Sequence, residues 1–508
     1  MGAVVVGRLR AHRLAAPLAA FFLGALQSLA FAPFNVWVLA PTCLATLWWL
    51  WRDGSSRRAA CLGFFFSAGL FCSGTYWLYT SIHVLGQAPI ALALLLMAGL
   101  VALMGTYSAV LGALLGRLSR GHEAAYALLI LPSAWVLMEW VRGWCLSGFP
   151  WLALGYAHLD TPLAGFAPLV GVYGVSWLSA LSAGALLLLV TGIGSHRVVA
   201  LTSLLIVWGA GALLTPLSWT HVSGAPLSVA LVQGAISQDQ KWQEDNHEHT
   251  LQVYQGLTEQ ALGARLVVWP ESALPLLYHD AMPYLAMIYQ RAQARHSDLL
   301  LGLIRYDFDV GELHNGLMAL GDHEEWYYKR RLVPFGEFFP VPPFIRSWMR
   351  MKSMTYVDFA PGSAHQGLLH VGGQALAATI CYEDAYGVEQ LDELADATLL
   401  VNVSNDAWFG DSTAPHQHLQ IARLRALEAG RFMMRATNNG ISAVIDNKGR
   451  VVAQSAQFVP QVLRADVVPL SGLTPYARLK NWPVLGGCVG ILGWAFIARW
   501  RRRASRSF

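Results

Sequence analysis

The chain has 508 residues, 55% of them hydrophobic and only 13% Asp, Glu, Lys or Arg. Soluble domains carry about 25% charged residues, so this shortfall excludes a disordered, nucleic-acid-wrapping or fibrous protein and argues against a purely soluble enzyme. The net charge of +4 averages two unlike parts: residues 1–215 with 483–508 hold 15 Arg and four acids, net +11, whereas residues 216–482 hold 20 Lys plus Arg and 27 Asp plus Glu, net −7.

In chain order, apolar stretches run at about 15–32, 36–51, 59–80, 89–116, 124–141, 164–192 and 198–215, with one more at 483–499. A hydrocarbon core about 30 Å thick needs roughly 20 apolar residues in a helix. About eight membrane spans are therefore expected, the shorter ones leaning on interfacial Trp49, Trp51, Trp208 and Trp500. The first stretch outruns a signal-peptide core and another span follows it at once, so it is expected to stay uncleaved. Arginines mark alternate loops (Arg8, Arg10, Arg13; Arg52, Arg57, Arg58; Arg117, Arg120; Arg197) and the tail, while the opposite short loops hold only Arg142. Basic loops remain cytoplasmic, so both termini are expected in the cytoplasm and residues 216–482 on the far side. Glu139, near a span end and three positions before Arg142, reads as a local ion pair or an interfacial group.

From about residue 226 the pattern changes. LSVALVQG (227–234), ARLVVWPES (264–272), DLLLGLIRY (298–306), ALAATICYE (375–383) and ATLLVNVSN (397–405) read as strands, with helical segments at 246–262, 281–296 and 415–430. Strands alternating with helices indicate an α/β layered domain. Residues 440–454 read as a hairpin around Asn447-Lys448-Gly449.

Three of these segments deliver reactive groups. LVVWP leads to Glu271; WYYKRRLVPFGE carries Lys329 and, eight positions on, Glu337; LAATI leads to Cys381, Tyr382, Glu383 and Asp384. Taken singly, each has a plain structural role: a packed cysteine, a turn-capping acid, a solvated basic run. Together they form an acyl-transfer set. A thiol with ordinary pKa near 8.5 needs a base to become the reactive thiolate, a carboxylate can serve, and an ammonium can stabilise both thiolate and oxyanion. No Cys/His spacing suggests a metal site, and no nucleotide or flavin fingerprint occurs, so no cofactor is expected. Cys381 could form a disulfide only with Cys145, since the other four cysteines lie in the apolar stretches.

The order and wording of these segments resemble the nitrilase (carbon–nitrogen hydrolase) superfamily, whose Glu-Lys-Cys triad sits in an α-β-β-α sandwich. With WPESALP, YYKRRLVPFGEFFP, ICYED and SNDAWFG placed behind seven spans and ahead of one, the whole chain resembles the apolipoprotein N-acyltransferase family. That resemblance implies a membrane bundle (1–215), a periplasmic catalytic domain (216–482) and a last span with its tail (483–508). It implies an acyltransferase of the bacterial inner membrane, working ping-pong through a thioester on Cys381 with Glu271 as base and Lys329 as oxyanion partner. Glu337, the Tyr382 backbone N–H and Glu383 would support the site, and Trp242 would line the substrate entrance. The implied donor is a glycerophospholipid, phosphatidylethanolamine for preference. The implied acceptor is a diacylglyceryl-apolipoprotein, and nucleic acid is not an expected partner. Residues 338–354 (FFPVPPFIRSWMRMKSM) are expected to dip into the leaflet, Phe344 and Trp348 meeting lipid. A monomer is expected. The competing activity is a membrane-anchored amidase hydrolysing a periplasmic amide or nitrile.

Overall fold

The computed structural model describes residues 15–52, 55–116, 123–338 and 358–504, with side chains through 501. The chain divides into two compact units: residues 1–217, 411–420 and 478–508 form one, and residues 218–410 and 421–477 the other.

In the first unit every apolar stretch of the sequence contains a helix, including Ala15–Gln27, Leu39–Trp51, Ser56–Gly74, Ile90–Leu115, Leu131–Arg142, Ala167–Thr191, Ser195–Leu214 and Trp482–Ala504. Among the described residues, five helical runs are long and apolar enough to cross a membrane: Ile90–Leu115, Glu123–Arg142, Pro162–Thr191, Ser195–Leu214 and Trp482–Arg501. Helices Ala15–Gln27 and Leu39–Trp51 are shorter than the bilayer core requires. Small residues allow close helix contact: a Cβ at Gly24 would lie 1.8 Å from the Phe66 carbonyl oxygen, and one at Gly69 would lie 1.9 Å from that of Phe21. Glu139 is buried within the unit, and its Oε1 accepts from the Trp135 indole at 3.0 Å and the Leu154 N–H at 3.0 Å. Arg142, also buried, lies 4.9 Å from the Phe71 ring centre.

The second unit is built on β1 (His221–Val222), β2 (Leu227–Gln233), β3 (Leu266–Val268), β4 (Asp298–Asp307), β5 (Glu312–Leu320), β6 (Glu324–Tyr328), β7 (Leu369–Val371), β8 (Gln374–Ile380), β9 (Leu399–Ser404), β10 (Met433–Thr437), β11 (Ala443–Ile445), β12 (Val451–Gln454), β13 (Gln461–Val467) and β14 (Leu470–Ser471). Two six-stranded sheets have the orders β13-β2-β3-β4-β5-β6 and β12-β11-β10-β9-β8-β7, and β1 pairs with β14. The central pairs β2–β3, β3–β4, β8–β9 and β9–β10 are parallel, and the flanking pairs are antiparallel. Alternation along the strands separates the faces. Leu300 joins Val229, Val268, Leu376, Val401 and Met434 in one core shared by both sheets. Leu299, Leu301 and Leu303 point the other way, into a core with Tyr254, Leu257, Leu285 and Ile288 of helices His247–Ala261 and Tyr278–Gln293. The β11–β12 turn closes on Asp446, whose Oδ1 accepts from the Lys448 and Arg450 N–H groups, with Gly449 at φ 73°. The hairpin at 440–454 is thus present as expected.

Candidate active site

Ligand-bearing residues of α/β proteins gather outside the carboxyl ends of parallel strands; Glu271 after β3 and Cys381 after β8 do so here, while Lys329 follows the antiparallel edge strand β6. β3 is wholly buried and ends at Trp269-Pro270. The Trp269 indole donates to the Thr258 hydroxyl at 3.0 Å and packs on Tyr254 with ring centres 4.9 Å apart, fixing the exit direction. The neighbouring β4 must come very close: a Cβ at Gly302 would meet the Pro270 carbonyl oxygen at 2.1 Å and the Glu271 Cα at 2.8 Å. Glu271, 5% exposed, follows. Its Oε1 accepts from Lys329 Nζ at 2.9 Å and Asn315 Nδ2 at 2.7 Å, and its Oε2 accepts from the Asn405 N–H at 2.8 Å.

Lys329 directly follows β6 and is 1% exposed. Its N–H donates to the Asn315 carbonyl at 2.8 Å, and its own carbonyl accepts from the Gly362 N–H at 2.8 Å. Nζ is shared between Glu271 and Glu337 Oε1, the latter at 2.7 Å. Glu337 is itself held by the Val333 N–H on Oε2 at 2.8 Å, and Asn315 Nδ2 reaches its Oε1 at 3.3 Å. Burial works against the ammonium, but the Glu271 and Glu337 carboxylates outweigh it and hold Lys329 protonated well above the usual lysine range.

Cys381 ends β8 at a sharp turn, φ 54°, into one turn of 3₁₀ helix, Cys381–Ala385. Left-handed backbone at a non-glycine residue costs about 1–3 kcal/mol and persists where surrounding contacts enforce it. Glu383, buried, supplies the enforcement. Its Oε2 accepts from the Ile380 N–H at 2.7 Å and the Tyr327 hydroxyl at 3.0 Å, while its Oε1 accepts from the N–H groups of Arg330 and Arg331. One carboxylate thereby ties the cysteine turn to the segment carrying Lys329. Burial and the Glu271 carboxylate push the Cys381 thiol well above its usual range, with Lys329 and a Ser404 hydroxyl bond pulling the other way. The resting sulfur is therefore a thiol, and the thiolate must be made on demand by a base. Tyr382 follows in the turn, its ring 5.3 Å from that of Tyr386.

The structure thus brings the buried Glu271, Lys329, Cys381 and Glu383 together with the half-buried Glu337 in one cluster. Trp242 is 48% exposed and has Lys241 Nζ 5.9 Å from its ring centre. Phe344 and Trp348, with residues 339–357 generally, lie outside the described residues, as do Arg8, Arg10, Arg13, Arg117 and Arg120. None of the six cysteines is disulfide-bonded. Among the described residues no group of three or more His, Cys, Asp or Glu is arranged to hold a metal ion. Several contributors escape the sequence reading. Asn315, in mid-β5, bridges both carboxylates, and Asn405 of SNDAWFG orients Glu271 through its main chain. Beneath Cys381 the fully buried Arg435 pairs with Asp384 at 3.5 Å and Asp406 at 2.9 Å. Ser404 donates to Asp406 at 2.8 Å, and Asn402 donates to the Cys381 carbonyl at 3.3 Å. The SNDAWFG wording marks Ser404, Asn405 and Asp406; nothing local marks Asn315 or Arg435.

Residues 228–476 match the family model described as carbon-nitrogen hydrolase, so the second unit is a carbon–nitrogen hydrolase domain. A protein from Xanthomonas campestris described as a CN-hydrolase superfamily protein aligns with TM-score 0.36 and 17% identity, over 52% of this chain and 97% of that one. Residues 23–185 match the model described as apolipoprotein N-acyltransferase N-terminal domain. An apolipoprotein N-acyltransferase of Methylococcus capsulatus is 42% identical over 95% of this chain and 96% of its own length, and one of Azotobacter vinelandii is 42% identical over 96% of each. The chain belongs to the apolipoprotein N-acyltransferase family.

Proposed function

We propose that this chain moves an acyl group from a membrane glycerophospholipid, by way of a thioester on Cys381, to the α-amino group of the S-diacylglyceryl-cysteine that begins an apolipoprotein. In the first step the Sγ–H proton passes to Glu271 and the sulfur attacks the ester carbonyl. The Lys329 ammonium and the Tyr382 backbone N–H hold the oxyanion. As the ester C–O bond breaks, Glu271 returns the proton to the departing lysophospholipid oxygen. In the second step the neutral amine attacks the thioester, and its surplus proton reaches Sγ through Glu271, regenerating the thiol. Glu337 and Glu383 orient Lys329 and the cysteine turn. The observation that carries this reading is the buried Lys329 ammonium, 2.9 Å and 2.7 Å from two carboxylates, within electrostatic reach of a thiol that burial keeps protonated.

The membrane setting follows from the substrates. Extracting an acyl chain into water costs about 0.8 kcal/mol per CH₂, so a triad held at the leaflet avoids that cost. The proposed topology is a multi-pass inner-membrane protein of eight spans with cytoplasmic termini. Its spans lie within 1–215 and 483–508, and its catalytic domain (216–482) is periplasmic, as the arginine placement requires. Phosphatidylethanolamine is the proposed donor, and Trp242, Phe344 and Trp348 the proposed lipid contacts. A monomer is proposed. The hydrolytic alternative is not favoured, since relatives matching nearly the full length carry the transferase name.

The test is incubation of the purified protein with phosphatidylethanolamine vesicles, followed by intact-mass analysis. An acyl adduct that is lost in Cys381→Ala, persists in water and is discharged by a diacylglyceryl-cysteine peptide is the expected result. An adduct that water discharges at once would turn the reading to the amidase, and no adduct would defeat it.

A further inference from the structure

The buried ions around Cys381 are short of positive charge. Glu271 and Glu337 share one ammonium, Lys329, and Asp384 and Asp406 share one guanidinium, Arg435. Carboxylates taken out of water without full compensation take up protons instead, and a base that is already protonated cannot accept one from a thiol. Two further cations are fully buried in this unit and have no place in the reaction so far: Arg431, whose guanidinium donates to the Ala397 and Leu394 carbonyls at 2.9 and 3.3 Å, and Lys241, 0% exposed, at the end of the turn Gln238–Lys241. Among the described residues its Nζ has no hydrogen-bond partner.

The turn is anchored to the base. The Gln238 side-chain carbonyl accepts from Asn405 Nδ2 at 2.9 Å, and the Asn405 N–H is the group that holds Glu271 Oε2. Asn405 Oδ1 in turn accepts from Asn438 Nδ2 at 3.1 Å. The titratable groups of the site are Glu271 after β3, Lys329 and Glu337 after β6, Cys381 after β8, and Asp384 and Asp406, both paired with Arg435. On its own turn, Asp239 accepts from the Ser237 hydroxyl at the exposed surface. Of these, Glu271 is the group whose charge Lys241 feels.

We propose that Lys241 is a positioning residue for Glu271: its buried ammonium, on a turn tied through Gln238 and Asn405 to that carboxylate, supplies positive charge that favours the carboxylate form the base needs to take the Cys381 proton. The inference rests on the acyl-transfer reading above. Burial pushes the Lys241 ammonium down to about 8, against the pull of Glu271, so its charge is present at neutral pH and fades in mildly alkaline solution. A lysine that only filled space would produce no such dependence.

The experiment measures the rate of acyl adduct formation on full-length protein with phosphatidylethanolamine vesicles from pH 5.5 to 9. Wild type, Lys241→Met and Lys241→Arg are compared. Lys241→Met should have its acid limb about one pH unit higher than wild type, a loss of up to about tenfold on that limb, and should converge with wild type above pH 8. Lys241→Arg should keep the wild-type limb. A loss of equal size at every pH, or an acid limb that does not move, overturns the proposal. Should Lys241→Met fail to fold, the arginine variant decides, a raised acid limb overturning the idea and a wild-type limb supporting it. If wild type forms no adduct, the acyl-transfer reading fails on its own account. The pH dependence of Cys381 alkylation by iodoacetamide then still reads the role of Lys241.

Discussion

Glu337→Gln removes one of the two charges that hold Lys329 and leaves the rest of the cluster in place. Glutamine is nearly isosteric, but Glu337 accepts on both oxygens, from Lys329 Nζ and Asn315 Nδ2 on one and from the Val333 N–H on the other. Whichever way the amide is turned, its NH₂ faces a donor. Losing a charge-assisted hydrogen bond costs about 1.5–3 kcal/mol, and the misplaced donor adds to this. If about 2–3 kcal/mol of it appears in the transition state, where Lys329 meets the oxyanion, acylation slows about 30- to 150-fold at 1.36 kcal/mol per decade. The pH dependence has a definite sign. The folded-state affinity of Lys329 for its proton lies above the unfolded value of about 10.4. Its contribution to stability is therefore complete below that pH and is lost only as pH rises through the raised folded value. Glu337→Gln lowers that folded value and leaves the unfolded one unchanged, so its thermal midpoint still starts to fall at about pH 10.4 but falls less and reaches its alkaline limit at lower pH than wild type. The assays are rapid-quench acylation with intact-mass detection and thermal unfolding from pH 7 to 11. Acylation within threefold of wild type together with an unchanged alkaline limit would refute the reasoning.

Gly302→Ala places a Cβ against the backbone at Pro270 and Glu271; β4 must move, lowering the thermal midpoint and slowing acylation at least tenfold without touching a titratable group. Asn315→Asp sets a third carboxylate against Glu271 and Glu337 and should slow acylation more than Asn315→Ala does, whereas equal effects would show that only the hydrogen bonds matter. Arg435→Met strands Asp384 and Asp406 as buried charges, costing about 3–5 kcal/mol, and should appear as a large fall in thermal midpoint.

Local sequence made much of this molecule legible. Short apolar runs with terminal polar or turn residues locate β2, β4 and β9 to within about two residues of the expected runs and β8 to within about three, and β3 is the central part of its run. Other strands stayed unread for physical reasons. β5 carries Asn315-Gly316, a pair that ordinarily signals a hairpin turn, yet here it lies inside a nine-residue strand paired on both sides. β7 has three residues, and β13 is largely half-exposed, so neither gives a clear hydrophobic period.

The sequence by itself determined the division into an Arg-edged apolar part and an acidic α/β part. It also picked out Glu271, Lys329 and Cys381, because each stands where a buried segment ends and needs only near neighbours to be noticed. Glu139 shows the limit of such reading, since nothing within a few residues reveals that the Leu154 N–H satisfies it. Only the tertiary structure decided how the catalytic groups converge. Asn315 reaches two carboxylates, Glu383 joins the cysteine turn to the Lys329 segment, and Lys241 is buried with Glu271 as its electrostatic partner. Hydrophobic periodicity is a property of adjacent residues. Charge balance in a buried site is a property of groups tens of positions apart, such as Glu271 and Lys329 or Asp384 and Arg435, and it exists only after both sheets have closed.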